Sequence, residues 1–206
     1  MRADKNPHIA IVLLAAGASR RMHGRDKLLI EIDGRPLLRR AARQCCASDA
    51  ASVLVVLRNA AGPRAEALQD LPLEIVKNSN AHAGMAASIS AGVRALDHRC
   101  DAVLLALADM PDLTTADLNN VMKAYDPKVG LHICRASDTG GQPGHPVLFG
   151  RRYFAPLSRL SGDQGARALI AAHLDEVVTV PLPAQHATVN LDTEDDWARY
   201  FARTKT

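Results

Sequence analysis

Residues 13–29, LLAAGASRRMHGRDKLL, combine two features that anion chemistry needs. Ala15, Ala16 and Gly17 are small enough to let a backbone loop approach a phosphate chain closely, and successive amides in such a loop can form an anion-binding nest. Arg20, Arg21, Arg25 and Lys27 bring four cations into eight residues beside it. The GxxxxGK[ST] pattern of a Walker-type phosphate loop is missing, and a strand followed by a turn with a solvated basic face has the same composition. Asp109 stands just after the apolar run AVLLAL at 102–107 and just before Met-Pro. Asp is common in strand-to-helix turns, so turn chemistry accounts for it unless a ligand does. Asp192 precedes Thr193, Glu194, Asp195 and Asp196, a good helix start at which acids meet the macrodipole favourably. Gly144, His145 and Pro146 lie in the most Gly-rich part of the chain. The remaining histidines show no ligand spacing. Cys45, Cys46, Cys100 and Cys134 form no CxxC, which suits small hydrophobic side chains in a reducing compartment.

Positioning such groups takes strands that end where the loops begin. Residues 9–14 (IAIVLL) form a continuous apolar run, as a strand buried on both faces requires. Pro36 sits where a helix would start, and LLRRAARQCC carries helical spacing. Further strands are expected at 53–57, 73–76, 102–107, 129–135, 146–149 and 176–180. Helices are expected after Pro63, at 85–96, after a cap at Thr114 or Thr115, near 164–173 and at 193–202. Repeated strand–helix units with apolar strands argue for an α/β fold with a mainly parallel sheet and helices on both faces. In such sheets ligands gather at the carboxyl ends of strands, near the switch in strand order.

The chain has 206 residues, which fits one domain, 1–206. Hydrophobic residues make up 48% and charged residues 23%, as in an ordinary globule, while only 3% is aromatic, so Ala, Leu, Val and Ile must build the core. The formal net charge of +3, without a basic stripe interleaved with aromatics, argues against nucleic acid as a partner. The apolar run Ile9 to Ala16 is short for a signal sequence and ends in Gly-Ala-Ser-Arg-Arg, and no stretch approaches the ~20 apolar residues that span a bilayer. A cytoplasmic protein without membrane association is expected.

The stretch 13–29 resembles the LAxGxSxRMGxxK signature of nucleotidyltransferases with the MobA-like fold, with Arg21 and Lys27 at the pattern's arginine and lysine. Extra residues between Met22 and Lys27, with His23 before Gly24, depart from it. AGMAASISAGV at 83–93 resembles the segment that lines the nucleotide base, and ALADMP at 106–111 the strand-end Asp motif. GHPVLF at 144–149, LSGDQGARALI at 160–170 and NLDTEDDW at 190–197 resemble a subgroup, the molybdenum cofactor cytidylyltransferases, with Asn190 where an Asp is common. The resemblance implies a Rossmann-like three-layer fold with a mainly parallel mixed sheet, of the nucleotide-diphospho-sugar transferase type. It implies nucleotide binding by Leu14, Ala15, Ala16, Gly17, Ala18, Ser19, Gly84 and Ser88, and catalysis by Arg21 and Lys27. Asp109 and Asp192 become ligands of Mg2+, with Mn2+ as the alternative ion. Gly144, His145, Pro146, Asp163 and Arg167 become acceptor-binding residues. Helix capping remains an equal account of Asp163 and Arg167, close helix packing an alternative for Ser88, and the helix start an alternative for Asp192.

The reaction implied is attack by an acceptor phosphate on the α-phosphorus of CTP, with molybdopterin phosphate as acceptor and the cytosine dinucleotide cofactor as product. LAAG in the first loop favours CTP, since guanylyl-transferring relatives more often carry LAGG. A molybdoenzyme that receives the product would be a further partner. Cytidylyl or uridylyl transfer to a sugar or polyol phosphate is the alternative within the class. A non-catalytic carrier of finished molybdenum cofactor is the alternative outside it.

Overall fold

The computed structural model describes residues 7–128, 132–162 and 165–204. In chain order the strands and helices are β1 (Ile9–Leu14), β2 (Glu31–Ile32), β3 (Arg35–Pro36), α1 (Leu37–Cys46), β4 (Ser52–Leu57), α2 (Pro63–Glu66), β5 (Glu74–Lys77), α3 (Met85–Arg94), β6 (Ala102–Leu107), α4 (Thr115–Lys123), β7 (Ile133–Ser137), β8 (Pro143–Gly150), α5 (Phe154–Ser158), α6 (Arg167–Ala171), β9 (Val177–Pro181) and α7 (Glu194–Thr204).

A seven-stranded sheet runs in the order β5-β4-β1-β6-β8-β7-β9. β5, β4, β1 and β6 are parallel, β8 pairs antiparallel with β6 and β7, and β9 is parallel to β7. From β1 the chain moves outward to β4 and β5, then returns to add β6 on the other side of β1. The order therefore switches between β1 and β6, and the loops after these two strands leave on either side of the resulting crevice.

Alternation along β1 divides the core. Ile9, Ile11 and Leu13 join α1, α4 and α7 on one face through Leu38, Leu118 and Trp197. Ala10 and Val12 meet α3, α5 and α6 on the other through Ile89, Leu157 and Ile170. Two helix layers on a central sheet explain why the strands read as unbroken apolar runs rather than alternating ones. The scarcity of aromatics is met by close approach. An added Cβ on Gly92 of α3 would stand 2.4 Å from Val12 Cγ1 and 3.1 Å from Val56 Cγ2, so glycine lets the helix lie directly on the sheet. Asp117 and Thr114 form a reciprocal capping box at the start of α4, and His186 Nδ1 lies 2.8 Å from the same Asp117 carboxylate.

The structure revises several expected bounds. Pro36 ends the short β2–β3 hairpin around Asp33-Gly34 and is also the N-cap of α1, so the helix begins where expected, at Leu37. The strand expected at 129–135 runs over 133–137, with residues 129–131 outside the described part. The strand expected at 146–149 begins at Pro143, so Gly144, His145 and Pro146 belong to β8 rather than to a loop. The Gly-rich composition masked this strand because Gly and Pro are poor strand formers. The helix near 164–173 is limited to five residues, and α5 has no counterpart in the sequence reading. Among the described residues no helix is long and apolar enough to cross a membrane.

Candidate active site

The loop after β1 is held at both ends. Ala15 N donates to Val56 O at 3.0 Å, and Met22, buried beneath the loop, lies in a turn closed by its own amide on Ser19 O. Ser19 and His23 take positive φ of 51° and 45°, conformations that L-residues adopt only when surrounding contacts demand it. Asp26 then caps a single 3-10 turn at Lys27–Leu29 by accepting from Leu28 N. This turn drives the Lys27 side chain inward, where the residue is only 8% exposed.

Asp109 stands at the end of β6. Ala108 N bonds to Leu14 O, tying the β6 end to β1, and Asp109 O accepts from Leu191 N. That last bond brings the segment before α7 against the crevice. Thr193 and Asp196 cap α7, with Thr193 N and Asp192 N donating to the Asp196 carboxylate. Asp192 is therefore released from capping, and its carboxylate turns toward Lys27.

Lys27 Nζ lies 2.5 Å from Asp109 Oδ2 and 2.6 Å from Asp192 Oδ1. Arg21 reaches Asp192 Oδ2 at 2.9 Å from an exposed position, and Asn190 Nδ2 donates to the same oxygen at 2.7 Å. Burial works against charge on both partners, yet the mutual interactions prevail. The Asp192 carboxyl is held below its ordinary value by Lys27 and then Arg21, and the Lys27 ammonium is held above its ordinary value by Asp109 and Asp192. Asp109 Oδ1 is buried and has no hydrogen-bond partner. A buried carboxylate oxygen without a donor, beside a second carboxylate, fits a hard cation that takes one or two protein carboxylates and draws its other ligands from water and phosphate. Among the described residues no group of three or more His, Cys, Asp or Glu could hold a metal.

These groups close one end of a cleft of about 350 Å³. Leu14, Ala15, Ala16, Gly17, Ala18, Arg20 and Arg21 line it from the first loop, and Gly84, Met85 and Ser88 from the start of α3. Gly84 has φ 95° and ψ −172°, a region open almost only to glycine, and this lets the chain turn from a 3-10 segment straight into α3. Ser88 is buried, and its hydroxyl accepts from Asn78 Nδ2 at 3.1 Å. Arg58 and His82 also line the cleft, although His82 is among the histidines without ligand spacing in the sequence. No motif marks either position; what brings them in is the strand and segment that carry them past the crevice. Ser19 faces away from the cleft: its hydroxyl accepts from Lys27 N and contacts Arg64 and Asp26. It shapes the loop from within.

The residues expected to bind an acceptor are placed differently. None of the described ones lines the cleft. A Cβ on Gly144 would overlap Ala187 O at 1.8 Å, and His145 N bonds to that same carbonyl, so Gly144 serves a backbone contact. Pro146 is buried after a cis peptide bond. The imidazole Nδ1 of His145 is buried without a partner. Burial and the nearby Arg135 charge push its pKa below the ordinary value, with the Asp109 carboxylate pulling the other way. Arg167 stands near enough to Arg135 to disfavour that residue's charge. Asp163 lies outside the described residues. The thiols are free and largely buried, with Cys45 pushed up to about 12 and Cys134 to about 11 by burial, which leaves them protonated and unsuited to nucleophilic work.

Comparison with known proteins adds to this geometry. The model of the MobA-like NTP transferase domain matches residues 11–177. Nicotine blue oxidoreductase of Paenarthrobacter nicotinovorans is 33% identical over 172 residues, covering 80% of this chain and 82% of that protein. Molybdenum cofactor guanylyltransferase of Burkholderia vietnamiensis is 30% identical over 208 residues, covering 99% and 95%. The crystal structure of Rv0371c from Mycobacterium tuberculosis superposes with a TM-score of 0.76 at 25% identity, covering 96% of this chain and all of the other. A manganese complex of the same protein superposes with a TM-score of 0.73 at 24% identity, covering 93% and 97%. The fold is that of the nucleotide-diphospho-sugar transferases.

Proposed function

We propose, because the chain belongs to the MobA-like NTP transferase family, that it transfers CMP from CTP to a molybdopterin-type phosphate, releasing pyrophosphate. One observation carries this reading: a buried lysine and two carboxylates meet at the crevice between β1 and β6, at the end of a cleft rimmed by Arg20, Arg21 and Arg58. Asp109 and Asp192 hold a divalent cation in this proposal, and when bound the ion neutralises phosphate charge. The chain acts as one catalytic domain, with nucleotide held by its N-terminal part and acceptor by its C-terminal part.

The bond that forms joins an acceptor phosphate oxygen to the α-phosphorus; the bond that breaks joins that phosphorus to the bridging oxygen of the departing pyrophosphate. A phosphate monoester is mostly dianionic at neutral pH, its second pKa lying near ~6, so no general base is needed. Lys27 and Arg21 offset charge on the α-phosphate and the leaving group, and the backbone of 14–18 orients the chain of phosphates. In the cleft the Ser88 hydroxyl accepts from Asn78 and no cysteine is among the described lining residues, which agrees with this division of labour. Cytosine is favoured by Ala16, whose methyl group narrows the loop beside Gly84 and Ser88 relative to the LAGG loop of guanylyl-transferring relatives. His145 and Arg167, at β8 and α6, are proposed for the acceptor, together with Gly144, Pro146 and Asp163.

The test is pyrophosphate release with each nucleoside triphosphate, magnesium or manganese, and molybdopterin or a sugar phosphate as acceptor. CTP with molybdopterin should turn over fastest. Preference for GTP would overturn the cytosine assignment and keep the transferase one. Reduction of nicotine blue with no use of any triphosphate would overturn both, in favour of the oxidoreductase activity named in the Paenarthrobacter nicotinovorans relative.

A further inference from the structure

We propose that Arg64 is a positioning residue for the nucleotide loop: its guanidinium ties the beginning of the loop to its end and so fixes where Lys27 points. The inference rests on reading that loop as the triphosphate cradle. Arg64 lies in the first turn of α2, outside the cleft lining, with its side chain 16% exposed. Its Nη1 donates to Ala15 O at 2.6 Å. Its Nε and Nη2 donate to the two oxygens of Asp26, each at 2.7 Å, a side-on bidentate pair. Nη2 also reaches Ser19 Oγ at 3.3 Å. One planar group therefore touches residues 15, 19 and 26 of a single loop.

The tie passes directly to Lys27. Asp26 Oδ1, which receives Arg64, also accepts from Leu28 N at 3.0 Å, and Ser19 Oγ accepts from Lys27 N at 3.2 Å. Both ends of the Lys27 backbone are thus held by groups that Arg64 holds. Burial opposes the charge on Asp26, but the hydrogen bond and charge of Arg64 keep its carboxyl below the ordinary value. The loop needs such an anchor from outside, because residues 15–26 contain no helix or strand and include two non-glycine residues at positive φ. Without it the freed residues regain backbone entropy, and phosphate binding would have to restore that order. Lysine cannot replace the fork, since a point charge on a flexible stem cannot meet a carbonyl and both carboxylate oxygens at once.

The experiment compares wild type, Arg64→Ala, Arg64→Lys, Asp26→Asn and the double variant in the full chain. It measures binding of magnesium CTP, KM for nucleotide and for acceptor separately, thermal unfolding, and amide hydrogen exchange over residues 15–29. Arg64→Ala should raise the nucleotide Kd and KM at least tenfold, lower kcat, and leave the acceptor KM within twofold. Arg64→Lys should recover little, and the double variant should be no worse than Arg64→Ala alone. A residue that merely supports the fold would lower the melting temperature and move both KM values alike or neither. Hydrogen exchange separates this inference from the function it rests on. Loss of loop protection in Arg64→Ala, with no nucleotide bound by wild type, removes the cradle reading and with it the catalytic purpose of the tie. Tight nucleotide binding by wild type, with unchanged exchange and unchanged nucleotide KM in Arg64→Ala, overturns the role of Arg64 and spares the transferase.

Discussion

In the proposed site a divalent cation would meet the same two carboxylates as Lys27 Nζ, and 2.5 and 2.6 Å contacts leave no room for both. This makes the residue proposed to aid phosphate binding a competitor for the proposed metal. Lys27→Ala should bind Mn2+ several-fold more tightly than wild type when no nucleotide is added, as measured by electron paramagnetic resonance. The same variant should lose nucleotide turnover by ~10²–10³, the usual effect of removing one preorganised charge from a transition state. Weaker Mn2+ binding by the variant would mean that Asp109 and Asp192 do not form the metal site. Asp109→Asn should abolish the Mn2+ signal whether or not Lys27 is present. The chemistry of this cluster lies at the residue scale because each oxygen has a distinct partner, and Asp109 Oδ1 has none.

At the scale of elements, α3 shows how a helix can be weakened locally to serve the sheet beneath it. Glycine in a helix interior costs ~1 kcal/mol relative to alanine, so propensity by itself would favour Gly92→Ala. The contacts with Val12 and Val56 argue the opposite, since a Cβ there must push the helix off β1 and β4. Overpacking of this kind costs ~1–3 kcal/mol. Gly92→Ala should lower the urea midpoint, and it should also weaken nucleotide binding, because α3 carries Ser88 and begins at Gly84. A variant more stable than wild type would disprove the close-packing account. The small-residue stretch 85–96 reads as this helix in the sequence, whereas the need for glycine at position 92 arises from strands thirty-six and eighty residues away.

For the molecule as a whole, stability should respond to both ligand and acid. A ligand that binds the native state alone adds ~2.7 kcal/mol at a hundredfold excess over its Kd. For a chain of this length each kcal/mol raises Tm by about 2–4 °C. CTP with Mg2+ should therefore raise Tm by several degrees in differential scanning fluorimetry, and Asp109→Asn should cancel most of the rise. The acid limb depends on carboxylates whose folded pKa lies below the unfolded one, among them Asp26, Asp192 and Asp196. Their contribution is present above the ordinary value of 3.8 and is lost as pH falls below it. Lys27, shifted upward, contributes below 10.5 and loses its contribution as pH rises through its folded value. Asp192→Asn should thus flatten part of the melting profile below about pH 4 and leave its slope near neutrality unchanged. Parallel profiles for variant and wild type would show that Asp192 titrates alike in both states.

The apolar runs of β1, β4 and β6, the small and basic composition of 15–27 and the lone Asp after β6 were all legible in the sequence. Each is a local property, set by burial on two faces or by the steric freedom of a turn. Family resemblance extended this to Lys27 and Asp192, but the residues around Asp192 fitted a helix start equally well. The structure shows Thr193 and Asp196 doing the capping, which leaves Asp192 turned toward Lys27, 165 residues earlier in the chain. The reversed direction of β8 was hidden by its Gly-His-Pro opening, and Arg64 carried no mark at all. No periodicity encodes contacts such as Arg64 with Asp26 or Lys27 with Asp109, because side chains so far apart in sequence are juxtaposed by strand order. The sequence alone determined which segments are buried and which loop can approach a phosphate; tertiary structure decided which charges meet there, since Coulomb and hydrogen-bond partners depend on distance in space.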